Sequence, residues 1–274
     1  MEIETTRVNG YDMAYVAAGG GAPLLLVHGS LCDFRYWPLQ ARALATDYRV
    51  ISVSLRHYYP ERWDGSGDDF TPEQHAEDVA ALIDALDTGP VHLLGHSRGG
   101  YVALQVARRY PQRLRTLILA DPAGDLDTTI RPPNADPDAA RVDPALLTDC
   151  VALLRRGDVD AALQHFVDAV HGPGTWAASG EKFRDGARDN AHTLLGQIHE
   201  RREPFTAGML AALDVPTLLI GGELSPQPFP VLLEALERHL PDARRVIIEG
   251  ATHGMNLERP EAFNDAVRAF LAER

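Results

Sequence analysis

Cysteine is scarce in this sequence, whose 274 residues include only Cys32 and Cys150. Two cysteines so far apart exclude a disulfide framework, and the chain has no Cys-x-x-Cys pair that would indicate a metal or redox site. We therefore expect a protein from a reducing compartment that needs neither a metal ion nor an organic cofactor.

Long apolar runs and basic clusters are also absent. No run approaches the roughly 20 apolar residues that cross a membrane, and the N-terminus lacks the basic and apolar regions of a secretory signal. Lys and Arg number 26 against 39 Asp and Glu, so the formal net charge is -13, which disfavours nucleic acid and anionic membranes as partners. The expected protein is cytoplasmic, and either a monomer or a homodimer.

The composition is that of a globular chain, with 45% hydrophobic and 24% charged residues, and the length suits one large α/β domain. Short β-rich apolar runs alternate with amphipathic segments, which predicts an eight-stranded, mostly parallel sheet with helices on both faces. The runs are Tyr11 to Ala17, Leu24 to Val27, Arg49 to Ser54, Val91 to Leu94, Leu114 to Leu119, Thr217 to Ile220 and Arg245 to Ile248.

Two helices have clear start signals. Thr71 is a predicted N-cap for a helix from Pro72 to Leu86, and Gln74 completes a capping box. Pro260 opens the last predicted helix. The buried face of that helix is marked by Phe263, Val267, Phe270 and Leu271.

The alternation of strands and helices stops between Leu119 and Val215. A loop rich in Pro and Asp, Arg131 to Pro137, is followed there by helical segments without a strand. Since structureless excursions of this length are uncommon in compact domains, we predict a helical cap, 124–207, inserted into a core of 1–123 and 208–274.

The motif around Ser97 is the one that indicates a catalytic nucleophile. The apolar run that ends at Leu94 leads into Gly95-His96-Ser97-Arg98-Gly99 and then into a helical stretch. A serine on such a strand-to-helix turn has a strained backbone and needs small residues two positions to either side, as Gly95 and Gly99 provide. Ser97 is therefore the predicted nucleophile. The alternative is an ordinary glycine-rich turn in which Ser97 caps the helix.

The order of these elements and motifs resembles the α/β-hydrolase superfamily over essentially the whole chain. His28-Gly29-Ser30-Leu31 stands where that superfamily has its oxyanion loop. The resemblance implies that the backbone N–H groups of Ser30 and Arg98 stabilise an oxyanion and that His28 is structural. We expect the Arg98 side chain to form a salt bridge behind the turn.

The resemblance also places the base and the acid. His253 follows the last strand, where the superfamily has its catalytic histidine. The usual acid position, the end of Gly-Glu-x-Asp, here holds Ser225. Asp121, directly after the sixth strand, resembles the relocated acid of the pancreatic-lipase branch, and Glu223 is the alternative.

Five residues are candidates for binding substrate: Tyr58 and Trp63 near the expected pocket mouth, and Trp176, Asn190 and Thr193 in the cap. The spacing of Asn190, Thr193 and Gln197 predicts one helical face. The alternatives are that the aromatic side chains fill the core and that the polar face is solvated.

These residues together predict a serine hydrolase that cleaves a small-molecule carboxylic ester through a Ser-His-Asp triad and an acyl-enzyme. One alternative is a C–C bond hydrolase or a lyase or cyclase of secondary metabolism on the same triad. A second is a non-catalytic binding or regulatory homologue, because Ser225 replaces the usual acid. Enzymes of this fold with an Asp nucleophile are disfavoured by Ser97.

Overall fold

The computed structural model describes residues 2–133 and 145–274. It contains an eight-stranded sheet with the order β1-β2-β4-β3-β5-β6-β7-β8, in which β1 and β2 are antiparallel to their neighbours and β3 to β8 are mutually parallel. The strands are β1 (Glu4–Val8), β2 (Tyr11–Ala18), β3 (Ala22–Val27), β4 (Tyr48–Val53), β5 (Val91–His96), β6 (Leu114–Ala120), β7 (Thr217–Gly222) and β8 (Ala243–Ile248). The predicted fold class is confirmed.

Helices cover both faces of this sheet. They are α1 (Pro38–Leu44), α2 (Pro72–Ala85), α3 (Arg98–Arg109), α4 (Ala145–Arg155), α5 (Val159–His171), α6 (Thr175–Ala178), α7 (Glu181–Asp189), α8 (Leu194–Gln197), α9 (Ala207–Ala211), α10 (Phe229–His239), α11 (Met255–Glu258) and α12 (Pro260–Leu271). Apolar residues of α2, α3 and α10 pack on one face, and those of α1 and α12 pack on the other. The near-continuous apolar strands are buried by both layers.

The two helices with clear start signals form as predicted. The Thr71 hydroxyl accepts a hydrogen bond from the Gln74 backbone N–H at 3.0 Å at the start of α2. The expected second half of the capping box is wrong, because the Gln74 amide donates to Asp78 at 3.0 Å instead. Helix α12 begins at Pro260 and buries all four predicted apolar residues.

The segment between β6 and β7 holds α4 to α9. Apolar residues of α4 to α8 form a cluster of their own, centred on Leu163, Phe166 and Trp176. The chain enters and leaves this segment side by side, since Leu126 pairs with Phe205 in a parallel bridge. The bounds 124–207 for a separate cap stay a prediction, and the predicted loop from Arg131 to Pro137 lies partly outside the described residues.

Candidate active site

Ser97 stands on a sharp turn between β5 and α3. Its backbone angles are φ 53 and ψ -122, a combination that L-residues rarely adopt and that costs about 1–3 kcal/mol. The Ser97 backbone is held in this turn because its N–H donates to the Ala120 carbonyl at 3.0 Å and its carbonyl accepts from the Ala123 N–H at 2.8 Å. The surrounding structure therefore maintains a strained serine at the carboxyl end of a buried parallel strand.

The two glycines that flank the turn are sterically required. A Cβ atom on Gly95 would lie 2.3 Å from the Gly99 carbonyl oxygen, and one on Gly99 would lie 2.3 Å from the His28 carbonyl oxygen. Neither backbone oxygen can move aside as a flexible side chain would. The expected need for small residues two positions from Ser97 is confirmed.

His253 and Asp121 form a buried pair beside this turn. The imidazole Nδ1 lies 3.2 Å from Asp121 Oδ2, and both side chains are almost fully buried. The Ser225 hydroxyl donates to the same carboxylate oxygen at 2.5 Å. The His253 ring also stacks on Phe229, with the ring centroids 3.9 Å apart. Asp121 and Phe229 thus contact the imidazole directly, and Ser225 holds the carboxylate that contacts it.

Burial shifts the pKa values of this pair in opposite directions. It lowers the pKa of His253 to about 3, so the imidazole is neutral near pH 7, as a base must be. Burial also raises the pKa of Asp121 to about 7, and the hydrogen bond from Ser225, followed by the electrostatic effect of His96, opposes this rise. The ionisation of the carboxylate therefore depends on its surroundings, with Ser225 as the largest opposing influence.

Glu223, the alternative acid, lies elsewhere. Its side chain is exposed, and its carboxylate accepts a hydrogen bond from the Gly250 backbone N–H at 2.8 Å. Asp121 is therefore the carboxylate that contacts His253.

Ser97 opens into a cavity of about 460 Å³, a size suited to a small molecule. Ser30 and Arg98 also line this cavity. Arg98 is the first residue of α3, and the first N–H groups of a helix have no partner within it. Apolar side chains of α4 and α5 also line the cavity, namely Leu146, Leu147, Phe166 and Val170. Ser97 and His253 also line a narrower cavity together.

The Arg98 side chain forms the expected salt bridge, but it lines the Ser97 cavity instead of lying behind the turn, and the structural role of His28 stays a prediction. Arg98 Nε donates to Glu200 Oε1 at 2.7 Å, and Arg98 Nη2 bonds to both Glu200 and His75. His28 Nε2 accepts from the Leu55 N–H at 3.1 Å, and burial lowers the pKa of His28 to about 4. His28 thus connects the loop that follows β3 to the segment that follows β4.

The three aromatic residues that are predicted to bind substrate occupy packed positions. Tyr58 is completely buried in the core, Trp63 stacks on His57 at 4.4 Å, and Trp176 belongs to the apolar cluster of α4 to α8. Of the described residues that line the Ser97 cavity, none is one of these three. Their large apolar surfaces are used in packing, and the prediction that they bind substrate stays a prediction.

Asn190 and Thr193, the other two residues predicted to bind substrate, form buried hydrogen bonds. The Asn190 amide donates to Asp33 Oδ2 at 2.7 Å, and its oxygen accepts from the Tyr59 N–H at 2.8 Å. The Thr193 hydroxyl donates to the Asn190 carbonyl at 2.6 Å. Both residues are fully buried and neither lines the cavity, so their contact with substrate stays a prediction. Of that polar run, Gln197 alone lines the cavity within the described chain.

Sequence reasoning missed Glu200, Arg202 and Phe229, which line the cavity. Glu200 and Arg202 follow α8 in a charged stretch that has the appearance of a solvated loop. Glu200 pairs with Arg98, 102 positions earlier in the chain, so no local spacing could have indicated this contact.

The described ranges, 2–133 and 145–274, contain no cluster of three or more His, Cys, Asp or Glu side chains that could hold a metal ion. No helix in these ranges is both long and apolar enough to cross a membrane.

Comparisons with known proteins agree with this geometry. Residues 22–260 match the family model for the alpha/beta hydrolase fold. A pimeloyl-[acyl-carrier protein] methyl ester esterase of Aeromonas hydrophila is 28% identical over 264 residues, which cover 92% of this chain and 96% of the esterase. A thermophilic esterase from Thermogutta terrifontis is 29% identical, with a TM-score of 0.77 over 100% of this chain and 98% of that one.

A third relative is longer. The acetyltransferase component of the acetoin cleaving system of Pseudomonas putida, a dihydrolipoyllysine-residue acetyltransferase, is 30% identical over 271 residues. The match covers 92% of this chain, which spans 64% of the length of that relative. With the family model matched over most of its length, the chain belongs to the α/β-hydrolase fold family, and it is a hydrolase.

Proposed function

We propose that this hydrolase cleaves small-molecule carboxylic esters, with Ser97 as nucleophile, His253 as general base and Asp121 as the acid that orients His253. The hydrogen bond between His253 and Asp121, next to the strained Ser97 turn, carries the proposal. The esterases among the relatives support the substrate class.

In the proposed first step, Ser97 Oγ attacks the ester carbonyl while His253 Nε2 accepts the hydroxyl proton. Negative charge develops on the carbonyl oxygen, and the backbone N–H groups of Ser30 and Arg98 stabilise it. Asp121 stabilises the imidazolium that forms. His253 then protonates the departing alkoxide, which leaves as the alcohol, and Ser97 is acylated.

In the second step, water replaces the alcohol. His253 accepts a proton from this water, whose oxygen attacks the acyl-enzyme carbonyl. The tetrahedral intermediate collapses, Ser97 recovers its proton from His253, and the carboxylic acid leaves. The residues of the chain supply each proton transfer, so the proposed reaction needs no cofactor.

Labelling by a fluorophosphonate probe and turnover of p-nitrophenyl acetate test the proposal. The wild-type protein should show both, and Ser97→Ala should lose labelling and lower kcat by a factor on the order of 10⁴ to 10⁶. Ser66→Ala, at an exposed position, is the matched control. Folded wild-type protein with neither labelling nor turnover would support the non-catalytic binding alternative.

A further inference from the structure

One wall of the Ser97 cavity carries three charged side chains that contact one another. Glu200 Oε1 accepts from Arg98 Nε at 2.7 Å, and Glu200 Oε2 accepts from Arg202 Nη2 at 3.2 Å. All three residues line the cavity that contains Ser97. Two guanidinium groups thus share one carboxylate, which leaves this group with an excess positive charge.

This excess charge lies in a region of low solvent access. The Arg98 side chain is 1% exposed and that of Glu200 is 3% exposed. In the described part of the chain, Arg98 Nη1 and Arg202 Nε are buried without a hydrogen-bond partner. A buried N–H donor without an acceptor is unfavourable, so this wall of the cavity is suited to receive one more hydrogen-bond acceptor from a ligand.

Arg202 is the member of the group that is open to the cavity. Its side chain is 19% exposed, far more than those of Arg98 and Glu200. Within the described ranges its hydrogen bonds go to Glu200 alone, and its guanidinium lies 5.6 Å from the Tyr101 ring centroid. A guanidinium has five N–H donors, and the hydrogen bond to Glu200 uses one of those of Arg202, so further donors of this side chain remain for a ligand.

We propose that Arg202 binds a carboxylate of the substrate, so that the preferred substrates are esters that carry a free carboxylate, such as monoesters of dicarboxylic acids. A guanidinium binds a carboxylate through two parallel hydrogen bonds, which fixes direction as well as charge. Gln197, which is 6% exposed, lines the same wall. This inference rests on the proposed esterase function.

The proposed preference for an anionic substrate group applies to the part of the cavity lining that contains Arg202. Asp125, a half-buried carboxylate, also lines the cavity and would repel an anion placed next to it. A substrate carboxylate is therefore expected at Arg202, and a cationic ester serves as a test of the opposite preference.

Wild-type selectivity tests the proposal without any substitution. The monomethyl esters of succinic, glutaric, adipic and pimelic acid are compared with neutral methyl alkanoates of equal length and with a cationic methyl ester, at constant ionic strength. The expected kcat/KM for the best half-ester is about tenfold or more above that of its neutral counterpart. Glutarate itself should inhibit competitively, whereas an uncharged diol of the same length should not.

Arg202→Gln tests the residue. The expected result is a fall of about tenfold or more in the ratio of kcat/KM for half-ester over neutral ester. The matched control is Arg201→Gln, which removes the same charge from an adjacent exposed side chain outside the cavity lining. Arg201→Gln should keep the wild-type ratio. Thermal unfolding of both variants checks that they are folded.

Two results would overturn the carboxylate proposal while leaving the esterase proposal intact. One is a wild-type enzyme that cleaves neutral or cationic esters at least as well as the half-esters. The other is a folded Arg202→Gln variant that keeps the wild-type ratio. Failure of the proposed esterase function would give a different result. The folded wild-type protein would then cleave none of the esters and would not be labelled by the fluorophosphonate probe.

Discussion

Asp121 combines three features that suit an orienting carboxylate. It follows β6 directly, its backbone has φ 37, and its side chain is completely buried. Positive φ is uncommon outside glycine, although Asp is among the residues that tolerate it best. This backbone turn places the carboxylate beside His253. His253 follows β8, which is separated from β6 by β7 in the sheet. Ser225, at the end of the intervening strand, contacts Asp121 rather than replacing it.

Replacement of each carboxylate by its amide distinguishes Asp121 from Glu223 as the catalytic acid. Asp121→Asn should lower kcat by about 10⁴-fold, because an amide can hold the imidazole in the wrong tautomer and cannot stabilise its cation. Glu223→Gln should leave kcat within about twofold of the wild type, because its side chain is exposed and accepts a hydrogen bond from the Gly250 backbone N–H, away from His253. Steady-state kinetics on p-nitrophenyl acetate measure both. Full activity in Asp121→Asn would remove this residue from the mechanism.

Ser225 should set the pH at which activity appears. Activity requires ionised Asp121, whose pKa burial raises to about 7, so kcat/KM should fall as the pH falls through that value. The Ser225 hydrogen bond lowers the pKa of Asp121. Ser225→Ala should therefore move this acidic limb to higher pH, by about one unit.

The pH profile of kcat/KM between pH 5 and pH 9 measures this shift. Ser225→Thr retains the hydroxyl and is the control, with a limb close to that of the wild type. An unmoved limb in folded Ser225→Ala would contradict a positioning role for this hydroxyl, whereas a loss of activity that is equal at every pH would indicate a merely structural one.

Local rules explain which site residues were predictable. Gly95 and Gly99 are required by backbone atoms of the turn itself, so the Ser97 motif is readable from a few adjacent positions. The partner of Arg98 is Glu200, 102 positions away, and tertiary packing alone brings them together. Contacts between residues so far apart in the sequence could not be predicted from local patterns.

At the scale of elements, the loop between β4 and α2 is organised by His57. Its Nδ1 lies 2.9 Å from Glu61 Oε1 and its Nε2 lies 2.7 Å from Asp69 Oδ1. The ring also stacks on Trp63. His57 has φ 70, so the loop depends on these side-chain contacts to hold an unfavourable backbone conformation.

His57 should make the stability of this loop depend on pH. Burial lowers its pKa, but the hydrogen bonds and charges of Glu61 and Asp69 outweigh burial and raise the pKa above the ordinary value. A raised folded pKa stabilises the protein fully below about pH 6.5, and this contribution is lost as the pH rises through the folded value.

Thermal unfolding at pH 6 and at pH 9 tests this dependence. His57→Gln should lower Tm more at pH 6 than at pH 9, because only the charged imidazole gains from both carboxylates. His199→Gln, at an exposed position, should have a small effect that is equal at both pH values. An equal loss of Tm at both pH values in His57→Gln would show that the ring acts through packing alone.

Elements were predictable where periodicity was strong. α2 and α12 have apolar stripes and proline starts, and the buried parallel strands are near-continuous apolar runs. β1 was not identified because only Val8 of this edge strand is buried, which leaves no alternating pattern. The expected single helical face from Asn190 to Gln197 is wrong, since a 3-10 turn precedes α8 there.

At the scale of the whole molecule, polar contacts join the helical segment between β6 and β7 to the loops that follow β3 and β4. Asn190 bonds to Asp33 at 2.7 Å and to the Tyr59 backbone at 2.8 Å, across 157 and 131 positions of sequence. Arg35 forms ion pairs with both Asp33 and Asp189 at the same place. Because residues of this segment also line the Ser97 cavity, these contacts help to hold one side of the cavity in place.

Loss of the Asn190 side chain should loosen this attachment. Asn190→Ala leaves the Tyr59 N–H without its acceptor and Asp33 without a buried donor, so the free energy of unfolding should fall by about 1–3 kcal/mol. Urea denaturation measures this loss, and limited proteolysis should show faster cleavage between β6 and β7 than in the wild type. Asp185→Ala, an exposed position of α7, should change the free energy of unfolding by less than about 0.5 kcal/mol. If Asn190→Ala were as stable and as resistant to protease as Asp185→Ala, the attachment would depend on apolar packing instead.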